Sequence, residues 1–182
     1  MSVPMTAREH SDNFLKGILG KDIVKFMLER SGYTVFSYGY EDNLLDAKSK
    51  RTTQTSNSNT GRRLRRSPDL LVYDDKDIML VEVKTRGNPR PYIRGEEIGE
   101  LKEFWNDSIL VLVIPDDNVF YAKRTQEFEA EKYQAMSNIY FKLSEFKKFE
   151  DVFTRVSSVD ISYYRHIVSQ ILNIFIPKNN SQ

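Results

Sequence analysis

The stretch SPDLLVYDDKDIMLVEVKTR, residues 67–86, decides the fold. Two runs of β-favouring residues, 69–73 and 78–84, flank the turn Asp74-Asp75-Lys76-Asp77, and this pattern predicts a hairpin. Pro68 cannot donate to a ladder and belongs at a strand start. It also pushes Ser67 towards an extended conformation. A turn centred on Asp75 and Lys76 sets Tyr73 against Ile78, Leu71 against Leu80 and Asp69 against Glu82. Alternation then places Asp69, Leu71, Tyr73, Ile78, Leu80, Glu82 and Lys84 on one face. Opposed Cβ atoms lie about 4.5–5.5 Å apart, so two carboxylates and an ammonium converge at one end of the hairpin.

Like charges directly opposed destabilise a sheet. Where such a site is partly buried, both carboxylates stay ionised only with a cation beside them. Lys84 supplies one positive charge, and a divalent metal would supply the rest. Carboxylate, carbonyl and water oxygens suit Mg²⁺ or Mn²⁺, and Mg²⁺ usually takes one or two carboxylates plus substrate phosphate. The Val83 carbonyl, between Glu82 and Lys84, is a further candidate ligand. The plainer alternative is a salt bridge at a sheet rim. The shared register of all three groups weighs against it.

Upstream, Ser11 and Asp12 are candidate N-caps for a helix running to about Ser31, with Gly32 as its stop. Leu15, Ile18, Leu19, Ile23, Phe26 and Met27 recur at helical spacing, with Asp22 close to that stripe. Residues 34–40, TVFSYGY, form the next expected strand. Downstream, 86–95 reads as a Gly/Pro loop, 96–107 as a short helix, 108–115 as a buried strand and 119–123 as a further strand. The C-terminal third is expected to be helical with interruptions. Its clearest element opens with a capping box of Ser157 and Asp160. The stripe Ile161, Tyr164, Ile167, Val168, Ile171, Leu172 and Phe175 follows. It reads as core or subunit interface, which leaves a homodimer open.

The chain has 182 residues, 40% hydrophobic and 29% charged, enough for one domain with a sizeable core. It contains no cysteine, which excludes disulfides, thiolate zinc sites and cysteine nucleophiles. The N-terminus lacks an apolar signal-peptide region, and the run ILVLVIP at 109–115 is too short to span a membrane. An intracellular, cytoplasmic setting without membrane association is the expectation. Net charge is +1, but residues 47–66 hold Lys48, Lys50, Arg51, Arg62, Arg63, Arg65 and Arg66 and no acid. Such a block on an otherwise mildly acidic chain points to a polyanion. Its Ser/Thr/Asn-rich composition resembles a loop more than a packed element.

Pro68-Asp69 followed by Glu82-Val83-Lys84 resembles the motif of the PD-(D/E)XK nuclease superfamily. The context supports the likeness, which covers about residues 11–124: helix, three-stranded meander, helix and strand follow in that order over residues 11–114. The run VEVKTRGNP, then ELKEFW, then ILVLVIP looks most like archaeal members near the Holliday-junction-resolvase branch. The resemblance implies an α/β fold with a restriction-endonuclease-like core, its mixed sheet of about five strands flanked by helices. Residues 1–124 would form that core, including the basic loop 47–66, with 125–182 a mostly helical extension packed on it. The resemblance also implies DNA as substrate and a Mg²⁺ (or Mn²⁺) ion on Asp69 and Glu82. Lys84 would orient or activate water and stabilise charge on the phosphate. Arg86, Arg90 and Arg94 would join the basic segment in gripping the backbone. Many relatives carry a Glu in the first helix. Counting back from Gly32 gives Lys21 at that position; either Asp22 beside it serves, or the acid is absent. A non-cleaving nucleic-acid-binding or scaffold protein on the same fold is the alternative function.

Overall fold

The computed structural model describes residues 7–39, 58–86, 92–115, 119–129 and 138–175. In chain order its elements are α1 (Ala7–Arg30), β1 (Thr34–Ser37), α2 (Asn59–Arg65), β2 (Leu70–Tyr73), β3 (Ile78–Thr85), β4 (Tyr92–Arg94) and α3 (Gly95–Phe104). Then follow β5 (Ile109–Ile114), β6 (Val119–Arg124), β7 (Asn138–Tyr140), β8 (Lys147–Lys148), α4 (Phe149–Val152) and α5 (Ser158–Phe175).

The hairpin has the expected register: Tyr73 pairs with Ile78, Leu71 with Leu80 and Leu70 with Val81. β1 pairs antiparallel with the other edge of β2. The chain then leaves β3, crosses through β4 and α3, and returns as β5 parallel to β3. Such a parallel return requires a long crossover, here containing a helix. β6 and β8 complete a mixed six-stranded sheet in the order β1-β2-β3-β5-β6-β8, flanked by helices. The sixth strand comes from the C-terminal third, which also supplies β7 to a separate two-stranded sheet with β4.

Two apolar clusters lie on the two faces of the large sheet. The larger gathers Leu70, Val72, Val81, Val83, Val111 and Val113 from the sheet with Ile23, Val24, Met27 and Leu28 of α1. Phe149, Phe153, Ile161, Tyr164 and Val168 from the C-terminal third join it. The smaller takes Leu110 and Leu112 of β5 with Ile93, Ile98, Phe128, Phe141 and Phe146. Strand alternation explains the split, because Val111 and Val113 face one way and Leu110 and Leu112 the other.

The first helix departs from its expected orientation. It starts upstream of Ser11 and Asp12, at Ala7. Its buried stripe is Gly20, Ile23, Val24, Met27 and Leu28, whereas Leu15, Ile18 and Phe26 are exposed. Gly20 shows why: a Cβ there would collide with Thr85 Oγ1. Only a residue without a side chain lets α1 lie this close to the end of β3. The helix closes as expected at Gly32, whose φ of 87° is left-handed. Gly32 N–H donates to the Glu29 carbonyl and Tyr33 N–H to the Leu28 carbonyl, satisfying the last turn.

Polar contacts tie the C-terminal third to the core. Arg155 donates to the Gly32 carbonyl and pairs with Asp74 and Asp75 in the hairpin turn. The Ser157–Asp160 capping box is formed: Asp160 N–H donates to Ser157 Oγ, and Ser157 N–H to Asp160 Oδ2. Arg30 of α1 pairs with the same Asp160. Among the described residues, no helix is long and apolar enough to cross a membrane.

Candidate active site

Asp69 immediately precedes β2, one register step from the Leu70–Val81 pair and therefore beside Glu82. Its Oδ2 accepts a 2.8 Å hydrogen bond from the Val83 N–H, just past the end of β2. Lys84 Nζ lies 2.8 Å from Glu82 Oε1, and both side chains are largely buried. Asp69, Glu82 and Lys84 are thus together, as the hairpin register implies.

A fourth group joins them that the sequence reading missed. Glu97, in the first turn of α3, places Oε2 3.3 Å from Lys84 Nζ. The α3 crossover lies over the face of β3 that carries Glu82 and Lys84. A helix N-terminus also favours an acid, so two effects fix Glu97 there. The expected helix at 96–107 gave a signal for α3 but none for which of its acids turns inward.

These charges act on one another. Burial and the charge of Glu82 push the Asp69 carboxyl from 3.8 up to about 7. The Val83 N–H and the charges of Lys84 and Lys21 only partly oppose that rise. For Lys84, burial favours the neutral amine, but the charges of Glu82, Glu97 and Asp69 overcome it and hold the ammonium above its ordinary value. For Glu97, burial raises the pKa, yet Lys84, Arg86 and Arg66 bring it below the ordinary value.

The donor set fits a divalent cation of the Mg²⁺ class. Asp69 has one oxygen on the Val83 N–H and a second to offer; Glu82 has one on Lys84 and a second to offer. In a strand, a residue's N–H and carbonyl point to the same edge, so the Val83 carbonyl faces the Asp69 side. Two carboxylates and a carbonyl, with water and phosphate to complete the shell, match what Mg²⁺ takes. Among the described residues, no group of three acids or histidines could hold a metal by itself.

The structure does not bring Asp22 to this cluster. Asp22 is about 200° around α1 from Gly20, opposite the buried stripe. Lys21 is the α1 residue whose charge reaches Asp69. A lysine therefore stands at the site where the superfamily resemblance implies a Glu.

Part of the basic segment is a short helix, held by charged contacts rather than by a buried face, and not a loop. Ser58 caps α2 by accepting from the Gly61 N–H. Arg62 and Arg66 both pair with Glu100 of α3, a buried carboxylate, and Arg62 also pairs with Glu103. Arg62 lies over the Phe104 ring and Arg63 over Trp105. Arg65 points to solvent, and Arg94 is exposed at the N-cap of α3. Arg86 donates to the Thr85 and Tyr92 carbonyls. Lys48, Lys50, Arg51 and Arg90 lie outside the described residues.

A family model described as archaeal Holliday junction resolvase (hjc) matches residues 43–158. The span includes the hairpin, the α3 crossover, β5 and β6, and continues past residue 124 to the first residue of α5. The helix α1 lies outside it. Among solved structures, the Holliday junction resolvase Hjc of Archaeoglobus fulgidus, an archaeal hyperthermophile, aligns over 76% of this chain and 96% of its own. Identity there is 14% and the TM-score 0.49. No curated protein matches.

Proposed function

Since the chain belongs to the archaeal Holliday junction resolvase family, a branch of the PD-(D/E)XK nucleases, we propose that it hydrolyses DNA phosphodiester bonds at Asp69, Glu82 and Lys84. The observation that carries this reading is the Lys84 ammonium, held 2.8 Å from Glu82 beside the half-buried Asp69 carboxyl. In a plain sheet that arrangement is costly; around a phosphate and a divalent cation each charge has a partner.

Asp69, Glu82 and the Val83 carbonyl would hold Mg²⁺ or Mn²⁺. Such an ion, when bound, polarises a phosphoryl oxygen and lowers the pKa of bound water. Lys84, kept protonated by the acids around it, acts as a cation rather than as a base. It stabilises the negative charge that develops on the phosphate. Glu97 holds the ammonium from the side of α3. Arg65, Arg86 and Arg94 contribute phosphate contacts, and branched DNA is the substrate class that the family name suggests.

Incubation of the full chain with four-way junctions, plasmid and single strands, with and without Mg²⁺ or Mn²⁺, tests the proposal. Lys84→Ala is expected to abolish metal-dependent cleavage while DNA binding is retained. Equal cleavage by wild type and an Asp69→Ala/Glu82→Ala variant would overturn it. Lys21 supports a second reading, a module that binds DNA without cutting it. That reading predicts salt-sensitive binding and no cleavage under either metal.

A further inference from the structure

The two-stranded sheet of β4 and β7 has one buried face and one open face. Ile93 and Ile139 are paired in register and turn into the smaller apolar cluster. Ile93 is fully buried. Alternation turns Tyr92, Arg94 and Tyr140 the other way. Tyr92 and Tyr140 are directly opposed in register, with ring centroids 5.7 Å apart and planes tilted by 50°. The pair is not covered: Tyr140 is 61% exposed and Tyr92 37%.

This open face is continuous with the charged cluster. Arg86 N–H donates to the Val113 carbonyl, so the β3–β5 ladder extends to Arg86. Arg86 therefore falls on the same side as Glu82 and Lys84, two residues beyond Lys84. Its guanidinium lies 5.7 Å from the centre of the Tyr92 ring, and its Nε donates to the Tyr92 carbonyl. From Lys84 the surface runs through Arg86 to Tyr92 and Tyr140, with Arg94 alongside. It presents guanidinium groups and two aromatic rings, and none of these outward positions is an acid.

We infer that Tyr92 and Tyr140 form a stacking platform for an unpaired nucleobase of the DNA strand whose phosphate occupies the Lys84 site. Cations that track the backbone, alternating with flat aromatic faces, are the pattern by which proteins hold single strands. A cross-strand aromatic pair also steadies a small sheet, but Ile93 and Ile139 already anchor this one, and steadying it does not require exposed rings. The inference deepens the nuclease reading by naming what lies beside the phosphate: a base out of its stack, as at a branch point or a single-stranded tail.

The test is binding of the full chain, without divalent cations so that cleavage does not enter, to two probes. One is a blunt duplex and the other is the same duplex with a short single-stranded tail carrying 2-aminopurine. Tyr140→Leu keeps an apolar cross-strand partner but removes the flat ring. It is expected to weaken binding of the tailed probe by about tenfold and to abolish the change in 2-aminopurine fluorescence. Binding of the blunt duplex is expected to stay unchanged, and Tyr140→Phe to behave as wild type. Unaltered binding of the tailed probe by Tyr140→Leu, an equal loss on both probes, or the same loss in Tyr140→Phe would overturn the inference. A wild-type protein that quenches the tail through Tyr140 yet cleaves nothing would overturn the nuclease reading and leave the platform standing.

Discussion

Glu97 Oε2 lies 3.3 Å from Lys84 Nζ, and the two come from different elements, the crossover helix and the hairpin. Lys84 is thus steered from the helix as well as from Glu82. Removing a partner that orients a metal ligand typically costs about 10–100-fold in activity, and the same scale is expected for the partner of Lys84. Glu97→Ala is expected to lower kcat within that range with little change in KM, and Glu97→Gln to recover part of the loss. Steady-state cleavage of a labelled junction measures both. A change confined to KM would assign Glu97 to substrate binding instead.

Asp69 should make the metal-free protein sensitive to pH. Its folded pKa, about 7, lies above the ordinary 3.8. The folded state therefore holds this proton more tightly than the unfolded state does. The stabilisation is complete below about pH 4 and is lost as pH rises through 7. The shift corresponds to at most about 4 kcal/mol. Thermal unfolding from pH 4 to 8 in EDTA should show a steeper decline for wild type than for Asp69→Asn. Mg²⁺ above pH 7 should restore stability to wild type only, because the ion binds the deprotonated carboxylate.

Gly20 should not tolerate a side chain. Ala is the better helix former by about 1 kcal/mol, but its Cβ would collide with Thr85 Oγ1 and also meet Thr85 Cβ at 3.2 Å. Gly20→Ala is expected to destabilise by about 1–3 kcal/mol, read by urea denaturation. Gly20→Ala/Thr85→Ala should recover most of that loss.

The arginines of α2 should separate into two kinds. Glu100 is buried and held by Arg62 and Arg66. Arg66→Ala leaves that carboxylate short of a partner and should cost about 1–3 kcal/mol of stability. Arg65 is exposed. Arg65→Ala should leave stability unchanged and reduce the slope of log K against log salt by about one. Denaturation curves and salt titrations of DNA binding distinguish the two.

The hairpin was legible because its period is two and its turn symmetric, so Asp69, Glu82 and Lys84 followed from register alone. The orientation of α1 was not. That helix carries two apolar stripes, Leu15, Ile18 and Phe26 against Ile23, Met27 and their neighbours, and periodicity cannot choose between them. The choice rests on Gly20 meeting Thr85, a contact between distant parts of the chain. Glu97 was hidden for a similar reason, since only the parallel return of β5 brings α3 over Lys84. The strand at Lys147–Lys148 has no hydrophobic pattern to announce it. Charge counting marked Arg62 and Arg66 as ligands for a polyanion but could not show that Glu100, far along the sequence, already engages them.

The four-residue turn at Asp74–Asp77 also favours an order of assembly. Closing so short a loop costs little chain entropy, whereas pairing β3 with β5 requires the whole crossover. A refolding chain can therefore bring Asp69 against Glu82 before Glu97 arrives and before α1 is seated through Gly20. The repulsion between the two acids falls on the earliest local contact of the fold, when Lys84 is the hairpin's own counter-charge. Stopped-flow refolding with and without Mg²⁺ would reveal this as a rate that rises with the ion, and an ion-independent rate would place the closing of the hairpin after the barrier.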